Sequence, residues 1–485
     1  MDPRIIAVSI FALLIGIRSF RKKRSTPPGP AGLPLIGNMF DLSKRESWQV
    51  YLDWSKRYDS DILTMKVPGA QFFILNSATV IQDLLVKRSN IYSNRYVKDA
   101  LRTDTLCRIQ TSWLIPFMNN TEKWREHRRL FHREFDTVDA SVVNKAHEVQ
   151  AARRLLRRLL TSVDHEGELR LAAVDAILSI TYGISPKDLN HPFIKAPEDL
   201  NTIFADVARG GYTVDVFPFL RHLPTWFPGV EFHKTAQTGT TLANILLMGP
   251  YVQVKTEMAK GTAVSSVASR FLSAVQDGTI SETEQDVLRN VCGNAYLGNL
   301  AVCALYNFVI AMALYPEVQK KAQKSLDTLL EGNRLPDFND FSDLPYLSAV
   351  VNEVLRWHPV TPFAIYHVST EDDTYEGYHI PKGAMMIPNM WAILHDETIF
   401  GPDTHKFIPE RFVKADGSVK LDLSELDLAF GFGRRACPGR RKFCYTLWIM
   451  AASLLTAYTI TDPCGMDGSV LTADSHLEYT NAMVR

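Results

Sequence analysis

Residues 430–439 read FGFGRRACPG and carry a single cysteine, Cys437. Three glycines and a proline make this segment a tight loop, because glycine permits positive φ angles and close backbone approach. Such a loop can bring a bulky planar group within bonding distance of the Cys437 sulfur, with Arg434 and Arg435 beside it. A lone cysteine in a glycine-rich turn is usually a buried structural thiol. The complete pattern Phe-x-x-Gly-x-Arg-x-Cys-x-Gly is too long and too ordered for that reading.

Composition limits the class of protein. A length of 485 residues suggests about three average domains on length alone. No Ser/Gly-rich linker or charge block divides the chain after the first thirty-odd residues. The hydrophobic content of 46% is sufficient for a large buried core, and the net charge of zero gives no indication of a nucleic-acid partner. The six cysteines form no CxxC pair, which indicates a reducing compartment rather than a disulfide framework.

The N-terminal segment is interpreted as a membrane anchor. Residues 5–17 are apolar except at Ser9 and Gly16, and five basic residues lie within 18–24. As a helix this run is about 20 Å long, short of the roughly 30 Å hydrocarbon core, so a hairpin or a shallow insertion is an alternative. A signal peptide would place its basic residues before the apolar run and a cleavage site after it. A buried helix is the third reading. The basic cluster predicts that the chain after it lies in the cytosol.

A second motif lies on an amphipathic helix predicted to open near Lys123. Trp124 and Arg128 are four residues apart and therefore share one helical face. By itself this pattern is typical of a basic, solvated face with a half-buried tryptophan.

A third motif lies on the helix predicted over residues 343–358, where apolar residues recur at helical spacing. Glu353 and Arg356 are one turn apart, which by itself predicts a surface ion pair worth about 0.2–0.5 kcal/mol. Residues 407–412 follow with the sequence FIPERF, which includes Arg411. Each signal is weak in isolation, and their order along the chain makes the combination specific.

These motifs, at this spacing, resemble the cytochrome P-450 superfamily, and the resemblance extends over essentially the whole chain from Pro27. It implies a mainly α fold with a smaller β-rich lobe. It also divides the chain into an N-terminal membrane anchor (1–24), a proline-rich hinge (25–34) and a haem-thiolate catalytic domain (35–485). The members that look most similar are fungal microsomal enzymes of secondary metabolism.

The resemblance assigns a role to each motif. The loop cysteine of the family is the axial ligand of the haem iron, so Cys437 is the predicted metal ligand of haem b. A helix beginning near Pro438 is expected to lower the pKa of this thiol through its N-terminal dipole. The resemblance further implies that the haem propionates are held by Trp124, Arg128, Arg435 and His367, and that a buried charge triad of Glu353, Arg356 and Arg411 braces the loop.

The long helix predicted over residues 283–315 departs from the family pattern. Most members carry there an acid and an alcohol that relay protons to iron-bound dioxygen, and these positions are Asn299 and Leu300 in this chain. Residues 287–316 contain no Asp or Glu, and residues 284–324 contain no Ser or Thr. A positioned acid typically contributes about 10²–10⁴-fold to a proton-transfer step, and neither residue supplies a proton.

Three hypotheses follow from this substitution. The hydroxyl group of the substrate completes the relay, peroxide replaces dioxygen, or oxygen activation is weak and uncoupled. The chain is also expected to stop short of the C-terminal strand pair with which relatives close the pocket.

The activity that the resemblance implies is insertion of one atom of dioxygen into a lipophilic small molecule, such as a terpenoid. Electrons would come from NADPH through NADPH-cytochrome P-450 reductase, and residues 361–365 would line the substrate pocket. The enzyme would be a monomer at the endoplasmic reticulum membrane with its catalytic domain in the cytosol. A basic docking face for the acidic reductase is predicted from Lys123, Arg125, Arg129, Arg133, Arg440, Arg441 and Lys442.

Two alternatives remain open at this point. One is a haem-thiolate enzyme that is not a dioxygen-dependent monooxygenase, such as an isomerase, a dehydratase or a peroxide user. The other is a degenerate haem-binding pseudoenzyme.

Overall fold

Local sequence signals set the start of several helices. Thr121 caps the helix Glu122–Phe135, since its hydroxyl oxygen accepts a hydrogen bond from the Trp124 N–H at 3.4 Å. Pro316 and Pro345 each occupy the first position of a helix, where the missing N–H costs nothing.

The computed structural model describes residues 25–42, 46–95, 111–208, 223–227, 230–281, 284–298, 301–419 and 424–461.

Helices dominate the described ranges, which confirms the predicted mainly α fold class. The long ones are Ser47–Tyr58, Glu122–Phe135, Val138–Leu159, His165–Tyr182, Pro192–Ala208, Phe232–Ala259, Val267–Gln276, Glu284–Leu297, Ala301–Leu314, Pro316–Leu330, Pro345–Trp357 and Arg440–Ala457. Short α-helical segments are Met39–Leu42, Ala78–Ile81, Ser89–Tyr92, Met390–Leu394, Glu397–Phe400 and Ser424–Asp427. Short segments of 3₁₀ or π geometry are Gln82–Lys87, Thr111–Trp113, Ile115–Phe117, Phe338–Asp343, Pro409–Phe412, Leu428–Phe430 and Gly433–Arg435.

The smaller lobe contains a mixed four-stranded sheet. Its strands are β1 (Ile62–Val67), β2 (Ala70–Leu75), β3 (His367–Val368) and β6 (Met385–Pro388), in the order β1-β2-β6-β3. The β1–β2 hairpin is antiparallel, whereas β2 and β6 run parallel. The sheet thus joins the N-terminal region to a segment about three hundred residues later and fixes the lobe to the helical body.

The stretch from Tyr375 to Asn389, whose sequence predicts a strand, a turn at Pro381-Lys382-Gly383 and another strand, contains β5 (Tyr378–Ile380), that turn and β6 in this order. The structure contains an additional hairpin, in which β4 (Asp373–Tyr375) pairs with β5 (Tyr378–Ile380). Its turn is formed by Glu376 and Gly377, whose φ angles are 49° and 80°. Two consecutive positive φ angles match the turn type that joins antiparallel strands, so Tyr375 ends one strand instead of starting another.

The helix Arg440–Ala457 lies in the centre of the larger core. Every residue from Thr446 to Leu455 is buried, so the helix is covered on all sides. It contacts the helices Val138–Leu159, Ala301–Leu314 and Pro316–Leu330, among others. Because this helix directly follows Cys437, the cysteine loop is attached to one of the best-buried elements of the fold.

Residues 25–34, the predicted hinge, lie against the sheet lobe. The Thr64 N–H donates to the Pro28 carbonyl at 2.8 Å, and the His379 N–H donates to the Ser25 carbonyl at 2.7 Å. The predicted anchor, residues 1–24, lies outside the described residues. Within the ranges that the structure describes, one helical stretch, Glu284–Leu314, is long and apolar enough to cross a membrane. Half of its most apolar window of 18 residues is buried inside the protein.

Candidate active site

The cysteine loop depends on two glycines with positive φ. Gly431 has φ of 92° and Gly433 has φ of 48°. A Cβ atom at position 433 would lie 2.6 Å from the Leu85 carbonyl oxygen, so the loop packs too closely on that turn for any side chain there. The Cys437 N–H donates to the Phe430 carbonyl at 2.6 Å and closes the loop.

Cys437 is exposed to solvent, although protein atoms surround its thiol closely enough to disfavour the thiolate. Burial raises the pKa of the thiol, while N–H groups of Gly439 and Arg440 and the charge of Arg128 act in the opposite direction. The following helix begins at Arg440, with Gly439 as its N-cap. The expected effect of the helix N-terminus is present, since these N–H groups lower the pKa, but desolvation outweighs it and the net shift is upward. A bound metal cation would reverse the balance, since a coordinating thiol is deprotonated.

Two of the arginines predicted to hold the propionates, Arg435 and Arg128, lie over the ring of Trp124. The guanidinium carbon of Arg435 lies 4.3 Å from the ring centroid of Trp124, and that of Arg128 lies 5.6 Å away. Arg128 Nη1 also donates to the Ala436 carbonyl at 2.5 Å. The helix Glu122–Phe135 is thereby tied to the residue that precedes Cys437.

Arg435 is buried with most of its hydrogen-bonding capacity unused. The residue is 8% exposed, and its Nε donates to the Ser93 carbonyl at 2.7 Å. Nη1 and Nη2 are both buried without a hydrogen-bond partner. Burial, followed by the charge of Arg128, lowers the pKa of Arg435 to about 10. Buried donors of a charged group require hydrogen-bond partners, so Nη1 and Nη2 of Arg435 are positioned to bind an anion.

Arg95 is another buried arginine in this region, and no sequence motif selects it. Its Nη1 donates to the carbonyls of Ile365 and Tyr366, both at 2.8 Å, and its Nε donates to the Pro116 carbonyl at 2.8 Å. Burial and the neighbouring charge of Arg435 place its pKa well below the usual range. A single arginine in a loop has no spacing that distinguishes it from a surface residue.

His367 lies next to this cluster as a neutral imidazole. It is 1% exposed, and its Nδ1–H donates to the Tyr92 carbonyl at 2.8 Å, which leaves Nε2 as the acceptor nitrogen. Burial, followed by the charge of Arg95, lowers its pKa well below 6.5. A further positive charge at this position would repel the guanidinium groups.

These side chains fit haem. Among the described residues, no carboxylate lies within ion-pair distance of Arg95, Arg128 or Arg435. Three guanidinium groups in the interior therefore call for an external group with two negative charges, and the two propionates of haem supply them. The same group would present its iron to the Cys437 sulfur at the end of the loop.

Comparison with known proteins supports this reading over nearly the whole chain. The cytochrome P-450 family model matches residues 27–463. The chain belongs to the cytochrome P-450 family. The P-450 monooxygenase eriA of Hericium erinaceus is 44% identical over all of this chain and 91% of its own length. The P-450 monooxygenase 98 of Postia placenta is 37% identical, covering 94% of this chain and 88% of its own length. The tryptamine 4-monooxygenase of Psilocybe cyanescens is 35% identical, covering 96% of this chain and 92% of its own length.

These relatives make this chain a fungal P-450 monooxygenase, as the sequence motifs predicted. Membership in the family implies a haem-thiolate cofactor. P-450 monooxygenases in general use a redox partner reductase and lipophilic substrates.

The structure brings Glu353, Arg356 and Arg411 together behind the loop. Arg356 Nε and Nη2 donate to the two oxygens of Glu353 at 2.7 and 2.8 Å, and both side chains are 0% exposed. Arg411 Nε lies 3.6 Å from Glu353 Oε1. The same carboxylate accepts the Ile408 N–H at 2.8 Å. One buried carboxylate therefore joins the helix Pro345–Trp357 to the segment that leads to the cysteine loop.

The remaining donors of the triad hold the chain between these two elements. Arg356 Nη1 donates to the carbonyls of Leu394 and Thr404, at 3.0 and 2.8 Å. Arg411 donates to the carbonyls of Phe400 and Asp403, both at 2.6 Å. These backbone carbonyls accept hydrogen bonds from guanidinium groups instead of from the backbone N–H groups of a regular sheet or helix.

Two further expectations from the sequence need correction. Lys442 was placed on the docking face, but its side chain is 9% exposed and its Nζ lies 4.0 Å from the buried Glu148. It cannot present its charge to a partner, because it packs between two core helices. Phe363 was placed in the substrate-lining stretch, but its ring packs on Trp48 and Tyr51, at centroid distances of 6.2 and 5.6 Å.

The predicted proton-relay positions, Asn299 and Leu300, lie outside the described residues. Five residues before Asn299, Asn294 ties the helix Glu284–Leu297 to an adjacent loop. Its Nδ2 donates to the Trp113 carbonyl at 2.9 Å, and its Oδ1 accepts the Ile115 N–H at 2.9 Å. Both ends of this amide are used structurally.

A ladder of aromatic rings lies beside Arg356. The His358 ring is 3.9 Å from Trp357, and the His395 ring stacks at 4.0 Å on Trp391. Burial and neighbouring positive groups lower the pKa of His358 to about 3 and that of His395 to about 4. Both imidazoles are therefore neutral at pH 7.

Replacing Arg435 with Gln is expected to weaken haem binding roughly 10- to 100-fold, since charge-assisted hydrogen bonds contribute about 1.5–3 kcal/mol. The measurement is the rate of haem transfer from the purified enzyme to an acceptor globin. The control is Arg434→Gln, which removes the same charge from the exposed neighbour. Equal haem transfer by the two variants would show that Arg435 does not hold a propionate.

Replacing Glu353 with Gln is expected to cost about 3–5 kcal/mol, because two buried guanidinium groups lose their counter-charge. Chemical denaturation of the haem-loaded enzyme measures this loss. Glu410→Gln is the matched control, since Glu410 forms an exposed pair with Lys321 at 2.7 Å that contributes about 0–1 kcal/mol. A similar small loss in both variants would contradict the bracing role.

The two lowered histidine pKa values predict a loss of stability in acid. Below about pH 6.5 the unfolded chain binds protons that folded His358 and His395 do not, so stability is lost progressively as the pH falls toward 4. The expected slope is about 1 kcal/mol per pH unit for each histidine. The free energy of unfolding, measured by denaturation at several pH values from 7.5 to 5, should depend less on pH in His358→Gln/His395→Gln than in the exposed control His165→Gln. Parallel curves would contradict this account.

Proposed function

We propose that this P-450 monooxygenase oxidises a lipophilic small molecule of fungal secondary metabolism. The electrons would come from NADPH through NADPH-cytochrome P-450 reductase. The observation that carries the proposal is the uncompensated cluster of Arg95, Arg128 and Arg435 beside the Cys437 loop, which fits the propionates of haem b. The names of the relatives support the reaction class, and one of them is named for the monooxygenation of tryptamine.

Each group of this chain has a defined task in the proposal. Haem, once bound through Cys437, supplies the chemistry of oxygen activation, and the thiolate ligand favours cleavage of the O–O bond. The three arginines balance the propionate charges, and neutral His367 offers its free nitrogen without adding charge. Glu353 and the two arginines it binds keep the loop in place.

The proton supply is the unusual feature of the proposed reaction. Residues 287–316, on both sides of Asn299 and Leu300, contain no Asp, Glu, Ser or Thr. Protons must therefore arrive through ordered water or through a hydroxyl group of the substrate itself. This favours a substrate that already carries a polar group, and it leaves a peroxide-dependent reaction as the second candidate.

The proposed setting is the endoplasmic reticulum membrane, with residues 1–24 as the anchor and a monomeric catalytic domain in the cytosol. Contacts of residues 25–34 with the sheet lobe support a fixed orientation of the domain toward such an anchor. Six of the seven basic residues proposed for reductase docking are exposed or half-exposed, at Lys123, Arg125, Arg129, Arg133, Arg440 and Arg441.

The test compares metabolites of a yeast host that expresses the enzyme with its reductase and of the same host with Cys437→Ser. A product that incorporates label from heavy-isotope dioxygen is expected with the native chain only. The purified enzyme should need both NADPH and reductase for this product. Turnover with peroxide alone, and without label from dioxygen, would replace the proposal by the second candidate.

Restoring the alcohol of the central helix tests the proton supply. Leu300→Thr is expected to raise the ratio of product formed to NADPH consumed if oxygen activation is uncoupled in the native enzyme. Leu300→Val is the control, because it has the shape of Thr without the hydroxyl group. Unchanged coupling in the Thr variant would eliminate the uncoupling hypothesis and favour relay by the substrate.

A further inference from the structure

The run of residues 153–158, RRLLRR, places two pairs of arginines on two faces of the helix Val138–Leu159. Arg154 and Arg158 face the helix His165–Tyr182. Arg154 Nε binds Asp175 at 2.6 Å, and Arg158 Nε binds Glu168 at 2.6 Å. The positive charge of this face is balanced.

The other face carries Arg153 and Arg157, one turn apart. Among the described residues no carboxylate lies within ion-pair distance of either one. Arg153 Nε is buried and lacks a hydrogen-bond partner. Arg334, the neighbour in sequence of the cavity-lining Leu335, is already paired with Asp340 at 2.5 Å. Two guanidinium groups at helical spacing therefore remain available for an outside anion.

Both arginines line a cavity of about 270 Å³. Its other walls are largely apolar and consist of Leu156, Leu160, Leu335, Ala457 and Tyr458. The hydroxyl of Tyr458 is used, since it donates to the Leu156 carbonyl at 2.9 Å. The Tyr458 carbonyl is used as well, because it accepts from Gln323 Nε2 at 3.0 Å. The polar groups left to a ligand are those of the two arginines.

This cavity is separate from the haem site. Cys437 precedes the helix Arg440–Ala457, whereas Ala457 is its last residue. A helix of this length extends about 27 Å, so the cavity and the cysteine lie at opposite ends of it. Leu160, at the mouth of the cavity, is 74% exposed, and the nearby Val163 is 97% exposed. An apolar ligand entering here would cover surface that is otherwise in contact with water.

We propose that this cavity binds a single-chain fatty acid, with its carboxylate between Arg153 and Arg157 and its alkyl chain against the leucines. Paired guanidinium groups bind a carboxylate through charge-assisted hydrogen bonds. The apolar walls contribute through burial of the alkyl chain. A small inorganic anion would leave these walls in contact with water, and a neutral lipid would leave the arginines unpaired.

The experiment titrates the haem-loaded full chain with dodecanoate and measures binding by calorimetry while the Soret band is recorded. Binding that leaves the Soret band unchanged reports this cavity, because a ligand near the iron perturbs that band. We expect one such event in the native protein. Arg153→Gln/Arg157→Gln should weaken it at least tenfold. Lys320→Gln/Lys324→Gln should not, although it removes the same charge from an exposed pair at the same spacing.

Two further measurements test whether dodecanoate binds in this cavity and whether both its charge and its alkyl chain are required. Ala457→Phe, which fills the cavity without changing its charge, should cause the same loss as the arginine variant. Dodecanol and inorganic phosphate should each fail to displace dodecanoate, since one lacks the charge and the other the alkyl chain. Equal affinity in the native and Arg153→Gln/Arg157→Gln proteins would overturn the proposal, as would displacement by dodecanol or by phosphate at similar concentration.

Discussion

The candidate haem site is defined by three positive charges beside the cysteine loop, of which Arg95 and Arg435 are buried and Arg128 is partly buried. Arg95, Arg128 and Arg435 are satisfied in part by backbone carbonyls, and no carboxylate among the described residues balances them. Such an arrangement is unfavourable until an anion enters, because desolvation and mutual repulsion both act against it. The site is therefore built for its cofactor, and part of the stability of the loaded enzyme comes from haem binding.

A second group of buried charges has the opposite character. Glu353 and Arg356 are fully buried but almost completely hydrogen-bonded, and Arg411 lies beside them. This triad is complete without a ligand and organises the backbone between two helices. The cysteine loop thus lies between a balanced charge cluster that fixes its position and an unbalanced one that attracts the cofactor.

The sequence was informative where a residue type has few alternatives. Glycine at 433 is required by the close approach to Leu85, and the spacing of Glu353 and Arg356 follows from one helical turn. Arg95 was missed because its role comes from tertiary contacts with residues far away in the chain. The net upward shift of the Cys437 pKa could not be predicted, because desolvation depends on packing that no local pattern encodes. Burial of Lys442 has the same origin, since Glu148 approaches it from another helix.

The most direct test of the account is the reduced-CO difference spectrum of the purified chain. Ligation by the Cys437 thiolate predicts the long-wavelength Soret band that distinguishes haem-thiolate proteins from haem proteins with a nitrogen ligand. The full band should appear in the native protein and be absent in Cys437→His. A native protein that binds haem but shows the band of a nitrogen ligand, or that binds no haem, would contradict the central claim.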